Sequence, residues 1–276
     1  MSSPPSQFGA IIIGDEILSG KHQDKHLSKL IELLAARGCA LAWAEYVGDE
    51  RGRLTDVLRR ATAGNDVVFS FGGIGATPDD HTRQCVAAAL GVALQPHAQA
   101  QALITQRMQE MAAEKGEVFQ PARADNVQRL QMGVLPVGAQ IIPNPFNRIP
   151  GFSCRGAQGA WLHCVPGFPV MAWPMVEWAL DLHHRALHQQ RSYTERSIVL
   201  FKAQESALTP LMEAVETAHP DIKVFSLPSV DHPEYGMHIE LGVKGKTNAV
   251  APAWQQLIEG LHLLGAQFGP ELQRHI

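Results

Sequence analysis

Short apolar runs punctuate the first half of the chain, and each is followed by a stretch whose apolar residues recur at helical spacing. Gly9–Ile13 reads as a strand, then Lys25–Arg37 as a helix ending at Gly38. Cys39–Val47 and Val67–Phe71 are the next strands, with helices predicted over Arg51–Ala63 and Asp80–Leu90, the latter closing at Gly91. Ala98–Lys115 carries Leu103, Ile104, Met108 and Met111 on one helical face, suited to packing or to an oligomer contact. A loop rich in Pro and Asn spans Ile142–Phe152, and Trp161–Val165 is a further buried strand. It ends in Pro166-Gly167-Phe168-Pro169 before a helix running to about His188.

This alternation predicts an α/β fold, a doubly wound and mainly parallel sheet with right-handed crossovers. The pattern changes near residue 190, in the charged stretch His188–Glu195. Beyond it, strands are predicted over Thr194–Ala203, Ile222–Leu227 and Met237–Val243, with helices over Ser206–Ala218 and Ala251–Leu264. The expected organisation is an α/β domain over residues 1–188 and a small α+β domain over 189–276.

Ligands of such sheets sit beyond the carboxyl ends of strands. Three of these ends carry acids: Gly14-Asp15-Glu16, Gly48-Asp49-Glu50 and the Asp79-Asp80 turn. The last belongs to Phe69–Thr82, FSFGGIGATPDDHT, where a strand stops at Gly72-Gly73 and Pro78 suits the first turn of a helix. Bare backbone N–H groups in a glycine-lined crevice bind phosphate. Asp79 and Asp80 would repel that phosphate unless a divalent cation lay between them. The competing reading makes both aspartates helix caps that complement the dipole.

Composition narrows the field without choosing. With 45% hydrophobic and 18% charged residues the chain has an ordinary enzyme-like mix, and its net charge of −4 argues against non-specific nucleic-acid binding. Cys39, Cys85, Cys154 and Cys164 lack CxxC spacing, so reduced thiols and a cytoplasmic location are expected. No apolar run is long enough for a membrane span, and MSSPPSQ has no signal-peptide pattern.

Five segments carry a resemblance: Ile11–Gly20 (IIIGDEILSG), Val47–Glu50 (VGDE), Gly72–Thr82 (GGIGATPDDHT), Asn144–Phe152 (NPFNRIPGF) and Val165–Met175 (VPGFPVMAWPM). In this order they resemble the molybdopterin-binding domain family of molybdenum-cofactor biosynthesis, and more closely the N-terminal part of the competence/damage-inducible protein A family. The small second domain resembles the middle domain of that family. The deamidase domain of long members has no room in this sequence, so amide hydrolysis of pyridine nucleotides is not expected.

The resemblance implies that Asp49 and Asp80 are the acidic residues of a pterin or nucleotide site. It makes Gly72, Gly73, Gly75 and Thr77 a phosphate-facing loop that Thr82 closes, Asn144, Asn147 and Gly151 a second loop, and Gly167 the turn beneath the ligand. Family members are linked to binding molybdopterin or its adenylylated form, and to metal-dependent cleavage of nucleotide pyrophosphates such as ADP-ribose or FAD; a non-catalytic scaffold that kept the fold after losing the site is the third alternative, against which the three acidic turns speak. If this chain is an enzyme, Asp49, Asp79 and Asp80 would position magnesium, manganese or cobalt, with Asp49 and Asp80 as ligands. Asp15 would be a further metal ligand or general base. The expected partner is a small phosphorylated ligand, with neither nucleic acid nor membrane, and the chain is expected to form a homo-oligomer. The sequence departs from the family at Val170 and Met171, where a small polar residue and a glutamate are usual, at Asp15 in place of threonine, and at Ala76 in place of proline.

Other patterns point to blander roles. Gly242–Thr247, GVKGKT, lacks the spacing of a phosphate loop because Glu240 stands where glycine is needed, and reads as a turn. His184 and His188 share a predicted helix face with Asp181 one turn earlier, and a solvated helix end is expected there over a metal site. Asp24 suits an N-cap between His22 and His26, and Trp173 and Trp178 suit core packing.

Overall fold

The computed structural model describes residues 6–188 and 193–275. It divides into two compact units, one built on Ala40–Leu187 with the segment before Arg37, the other on His188–Ile276 with Arg37–Cys39.

The elements of the first unit are β1 (Phe8–Ile13), α1 (Asp15–Leu18), α2 (His26–Ala35), β2 (Leu41–Val47), α3 (Arg51–Thr62), β3 (Val67–Phe71), α4 (Thr82–Leu90), β4 (Leu94–Pro96), α5 (Ala98–Glu114), α6 (Ala124–Leu130), β5 (Val134–Pro136), β6 (Gln140–Ile142), β7 (Gly151–Arg155), β8 (Trp161–Val165) and α7 (Pro169–His183). Its main sheet has the order β2-β1-β3-β8-β7-β6. β2, β1, β3 and β8 are parallel, and β1 and β3 are buried along their whole length, as continuous apolar strands covered on both faces must be. The Pro/Asn-rich segment is not loop throughout. Its flanks pair antiparallel as β6 and β7, which extends the sheet beyond the parallel strands. β6 is three residues long, too short for an alternation to reveal it.

Helix limits follow local chemistry. Asp24 accepts the amides of His26 and Leu27 at 2.8 and 3.2 Å from just before Lys25, the N-cap residue of α2, and so satisfies the first amides of that helix. Gly91 ends α4 in the left-handed conformation, φ 67°. Pro78 does not open a helix. It occupies the second position of a turn closed by the Asp80 amide on the Thr77 carbonyl at 3.1 Å, and α4 begins only at Thr82.

The second unit contains β9 (Tyr193–Phe201), α8 (Glu205–Ala218), β10 (Ile222–His232), β11 (Gly236–Lys246), α9 (Thr247–Leu263) and β12 (Gln267–His275). Its antiparallel sheet runs β10-β11-β9-β12, and α8 and α9 contribute Leu208, Val215, Trp254 and Leu257 to a core of its own. β12 escapes a sequence reading because QFGPELQRH has neither an apolar run nor clean alternation. GVKGKT is not a turn: it completes β11, and α9 starts at Thr247 with no loop between them. Gly242 lies against the Phe225 ring, where a Cβ would come within 2.5 Å of ring carbon.

Candidate functional site

The carboxyl end of β3 is held by its neighbours. The Gly72 amide donates to Val165 O at 3.0 Å, and the Thr82 amide and hydroxyl return to Gly73 O and Gly72 O at 2.9 and 3.0 Å. Gly72 and Gly73 have φ of 102° and 67°, conformations that disfavour a side chain. A Cβ on Gly72 would also meet Ile13 O at 2.7 Å. Thr82 is therefore buried behind the loop as its anchor. The loop turns away from protein acceptors: among the described residues, the amides of Gly73, Ile74, Gly75 and Ala76 donate to none. Successive free amides after left-handed glycines form a concave anion receptor. It lies in the loop, ahead of the helix.

Neither aspartate of the motif caps α4. The Asp80 carboxylate folds back to accept the Thr77 amide at 2.8 Å and the Thr77 hydroxyl. Asp79 is exposed, and the nearby Thr77 side chain, then its own amide, hold its pKa below the usual carboxylate range. Capping does account for Glu50, whose oxygens accept the Gly52 and Arg53 amides at 2.8 and 2.7 Å at the start of α3.

Arg83 fixes the far side of the loop. Its buried guanidinium donates to Gly75 O at 3.0 Å and to Gln131 O at 2.7 Å. Burial lowers its pKa and the Asp80 charge opposes that shift.

At the ends of β1 and β2, Asp15 Oδ1 accepts the Asp49 amide at 3.2 Å and Asp49 Oδ2 accepts the Asp15 amide at 2.9 Å. Burial raises the Asp49 pKa most, and the charges of Asp15, Glu16 and Asp79 raise it further against that hydrogen bond. Four carboxylates thus share one negative field beside the glycine loop.

The second loop is organised by its asparagines. Asn144 donates to Asn147 Oδ1 at 2.8 Å and to Ile149 O at 2.9 Å while accepting the Phe146 amide at 3.0 Å. Asn147 donates to Met171 Sδ at 3.2 Å. The Pro166–Phe168 turn is steadied by His26, whose Nε2–H donates to Gly167 O at 3.0 Å and whose ring stacks on Phe71 at 4.6 Å. His26 is buried and its pKa is lowered, chiefly by that burial.

The two loops and this turn enclose a cavity of about 390 Å³. Of the residues expected at the site, Gly75, Thr77, Asp80, Asn144, Asn147 and Gly167 line it, beside the apolar Ile74, Met132, Ile149, Phe168 and Met171. Gly72, Gly73 and Thr82 form the support behind the loop. Asp15, Asp49 and Asp79 lie outside its wall. Gly151 sits in β7 instead, where a Cβ would come within 2.5 Å of Cys164 O, so its need for glycine is one of packing.

Comparison with known proteins bears on the family and the fold. Residues 9–185 match the probable molybdopterin binding domain, well over half of the chain. The chain belongs to that family. It is 32% identical over 214 residues to a CinA-like protein of Anaeromyxobacter sp. strain Fw109-5, covering 76% of this chain and 49% of that one. The chain thus spans about half the length of that curated relative. It is 27% identical over 261 residues to Protein PAE0875 of Pyrobaculum aerophilum, covering 91% of this chain and 92% of the relative. The crystal structure of the protein CinA of unknown function from Thermoplasma acidophilum superposes with a TM-score of 0.54 at 26% identity. That match covers 64% of this chain and 97% of that one.

In this molybdopterin-binding-fold domain, no three His, Cys, Asp or Glu side chains are grouped as metal ligands among the described residues. The acidic field around Asp49 fits a hard cation that takes one or two carboxylates and completes its shell with phosphate oxygens and water. Arg83, Met132, Phe168 and Ile149 were not foreseen as site residues. Arg83 alone left a signal, a charged residue among the apolar positions of α4.

The histidines near the end of α7 differ from the solvated helix expected of them. α7 stops at His183, and His184 turns inward to bring its Nε2 within 2.7 Å of His163 Nε2, while His163 Nδ1 meets Ser153 Oγ at 2.7 Å. His184 is 3% exposed and His163 fully buried, so this is a polar strand through the core. The signal missed was His163, a lone polar residue in an apolar strand. Trp173 and Trp178 lie on α7 away from the cavity wall. No helix among the described residues is long and apolar enough to cross a membrane.

Proposed function

We propose that the first unit binds a phosphorylated pterin or adenine nucleotide in the 390 Å³ cavity, its phosphate on the free amides of Gly73–Ala76. The observation that carries this reading is the meeting of an uncommitted amide row with an apolar chamber of ligand size. Ile74, Met132 and Phe168 suit the faces of a flat ring, and Thr77, Asn144 and Asn147 supply polar edges. The family supports the same chemistry. Titration calorimetry of the full chain with a phosphorylated pterin and with ADP-ribose, with and without magnesium, tests the reading. Gly75→Val would push a side chain into Asp80 and should abolish binding while the fold persists. Undiminished binding in that variant would refute the assignment.

A second reading, metal-dependent cleavage of a nucleotide pyrophosphate, draws on the carboxylates around Asp49. A divalent cation there would neutralise phosphate charge and lower the pKa of a bound water. Asp49, with Asp15 beside it, would hold it from the strand ends, while Asp80 shapes the cavity rim. The thioether of Met171 lines the cavity where the resemblance to the competence/damage-inducible type leads one to expect a glutamate, which favours binding over hydrolysis. Release of AMP from ADP-ribose or FAD with magnesium, manganese or cobalt, lost in Asp49→Asn, would establish the hydrolase. No release with retained binding would leave a binding protein.

A further inference from the structure

Arg148 stands in the asparagine loop with φ 65°, in the left-handed region that glycine enters freely and a long side chain does not. Its neighbours fix that turn. Asn144 Oδ1 accepts the Phe146 amide, Asn147 Oδ1 accepts the Ile149 amide, and the Arg148 amide donates to Asn144 O, each at 3.0 Å. Glycine would hold the same turn without strain, so what arginine adds is reach. Its Nε–H donates to Glu110 Oε1 at 2.9 Å, an ion pair that ties the loop to α5. A second tie runs to α7, from the Asn147 amide group to Met171 Sδ at 3.2 Å.

Glu110 has company on its own helix. Gln106 Nε2 donates to its Oε1 at 3.3 Å, and an Arg107 guanidinium nitrogen stands 3.7 Å from Oε2. Loss of Arg148 would therefore leave the carboxylate beside another cation. Arg148 and Glu110 keep 49% and 34% of their side-chain surface exposed, so water solvates both once they part. Parting would also free Arg148 from the left-handed region. The balance between a tied and an untied loop is thus shallow, as a two-state element requires.

We propose that Arg148 is a positioning residue of the ligand site: latched to Glu110, it holds the asparagine loop so that Asn144, Asn147 and Ile149 face the cavity. Arg148 is not among the residues that line the cavity, so it acts through the three that do. That this wall serves a phosphorylated ligand rests on the function proposed above; the latch rests on the geometry of the loop. An untied loop presents the wall in a smaller fraction of molecules, which lowers apparent affinity. Because the pair is half-exposed, salt weakens it.

The test reads hydrogen exchange of the Phe146, Arg148 and Ile149 amides in the full chain, beside calorimetry with ADP-ribose and with a phosphorylated pterin. Glu110→Gln keeps an acceptor and removes the charge, Arg148→Gly removes the side chain and the strain, and Arg148→Lys keeps the charge. Neither parent residue is buried, so the fold should persist in all three; circular dichroism checks this. In Glu110→Gln and Arg148→Gly the loop amides should exchange faster and ligand affinity should fall, each by about two- to fivefold, the range of a half-exposed ion pair. Arg148→Lys should restore much of both. Raising salt from about 0.1 M to about 1 M should speed loop exchange in the parent protein and not in Glu110→Gln. A residue that only supports the fold would show neither the rescue nor the salt dependence. Unchanged exchange in both variants, or parent exchange indifferent to salt, would overturn the latch. Faster exchange with unaltered affinity would overturn Arg148 as a positioning residue. Faster exchange in the two variants, with neither ligand bound by any of the proteins, would sustain the latch and refute the ligand reading.

Discussion

Asp15 and Asp49 hold each other by their backbones: each carboxylate accepts the other's amide, at 3.2 and 2.9 Å, so two acids are fixed side by side at the ends of β1 and β2. The arrangement sets electrostatics against hydrogen bonding. Burial, then the charges of Asp15, Glu16 and Asp79, raise the Asp49 pKa above its ordinary value. The folded chain therefore binds this proton more tightly than the unfolded chain. Stability from this group is greatest below the ordinary carboxylate pKa and is lost as pH rises through the raised one. Asp49→Asn keeps an acceptor for the Asp15 amide and removes the charge. It should raise the melting temperature at pH 7, flatten that part of the pH profile, and abolish any stabilisation by magnesium. A lower melting temperature would show that the carboxylate contributes more through its hydrogen bond than it costs by repulsion.

Arg83 ties the loop carbonyl Gly75 O to Gln131 O from a buried position. Lysine cannot span both acceptors with a planar fork. Arg83→Lys should cost about 1–3 kcal/mol, the usual price of an unsatisfied buried acceptor. It should also weaken ligand binding by loosening the Gly75 segment. Urea unfolding and calorimetry on the same preparation check the two effects, and unchanged affinity would show that the loop keeps its shape without this tie.

Gly151 separates packing from binding. Its Cβ would press on Cys164 O at 2.5 Å and on the Met175 methyl at 2.7 Å. Gly151→Ala should therefore lower stability by about 1–3 kcal/mol, in the range of overpacked cores. Ligand affinity of the remaining folded protein should change little. A large loss of affinity at unchanged stability would return Gly151 to the ligand site.

How far the sequence reached depended on the kind of signal. Val67–Phe71 and Trp161–Val165 were legible to the residue, because buried parallel strands are continuous apolar runs with sharp ends. The doubly wound order followed from their alternation with helices. β12 was missed because its pairing is set by a distant partner rather than by local period, and β7 because it begins inside the Pro/Asn-rich stretch that reads as loop. At the site, the glycine loop, the asparagine loop and the Pro-Gly turn were marked by residue types with few other uses. The cavity's apolar wall was not: Met132, Ile149 and Phe168 are ordinary apolar residues until the fold brings them together. Pro78 misled for a simpler reason, since proline suits a turn's second position as well as a helix start.

The buried pair His163–His184 predicts how the first unit responds to acid. Nε2 of one ring faces Nε2 of the other at 2.7 Å, so one must donate and the other accept, and a proton on both would end the bond. Burial, reinforced by His184, His183 and Arg155, lowers the His163 pKa well below 6.5. In this window the unfolded histidine takes up a proton that the folded one excludes, so stability falls as pH drops below about 6.5. The slope should approach about 1.4 kcal/mol per pH unit for each excluded proton. Replacing both histidines by leucine removes the titration and leaves no half of the pair behind. Urea unfolding between pH 7.5 and 5.5 should then show a flatter profile than the parent protein. An equally steep slope in the double variant would place the acid sensitivity elsewhere, with His26 the next group to replace, since its pKa is also lowered by burial.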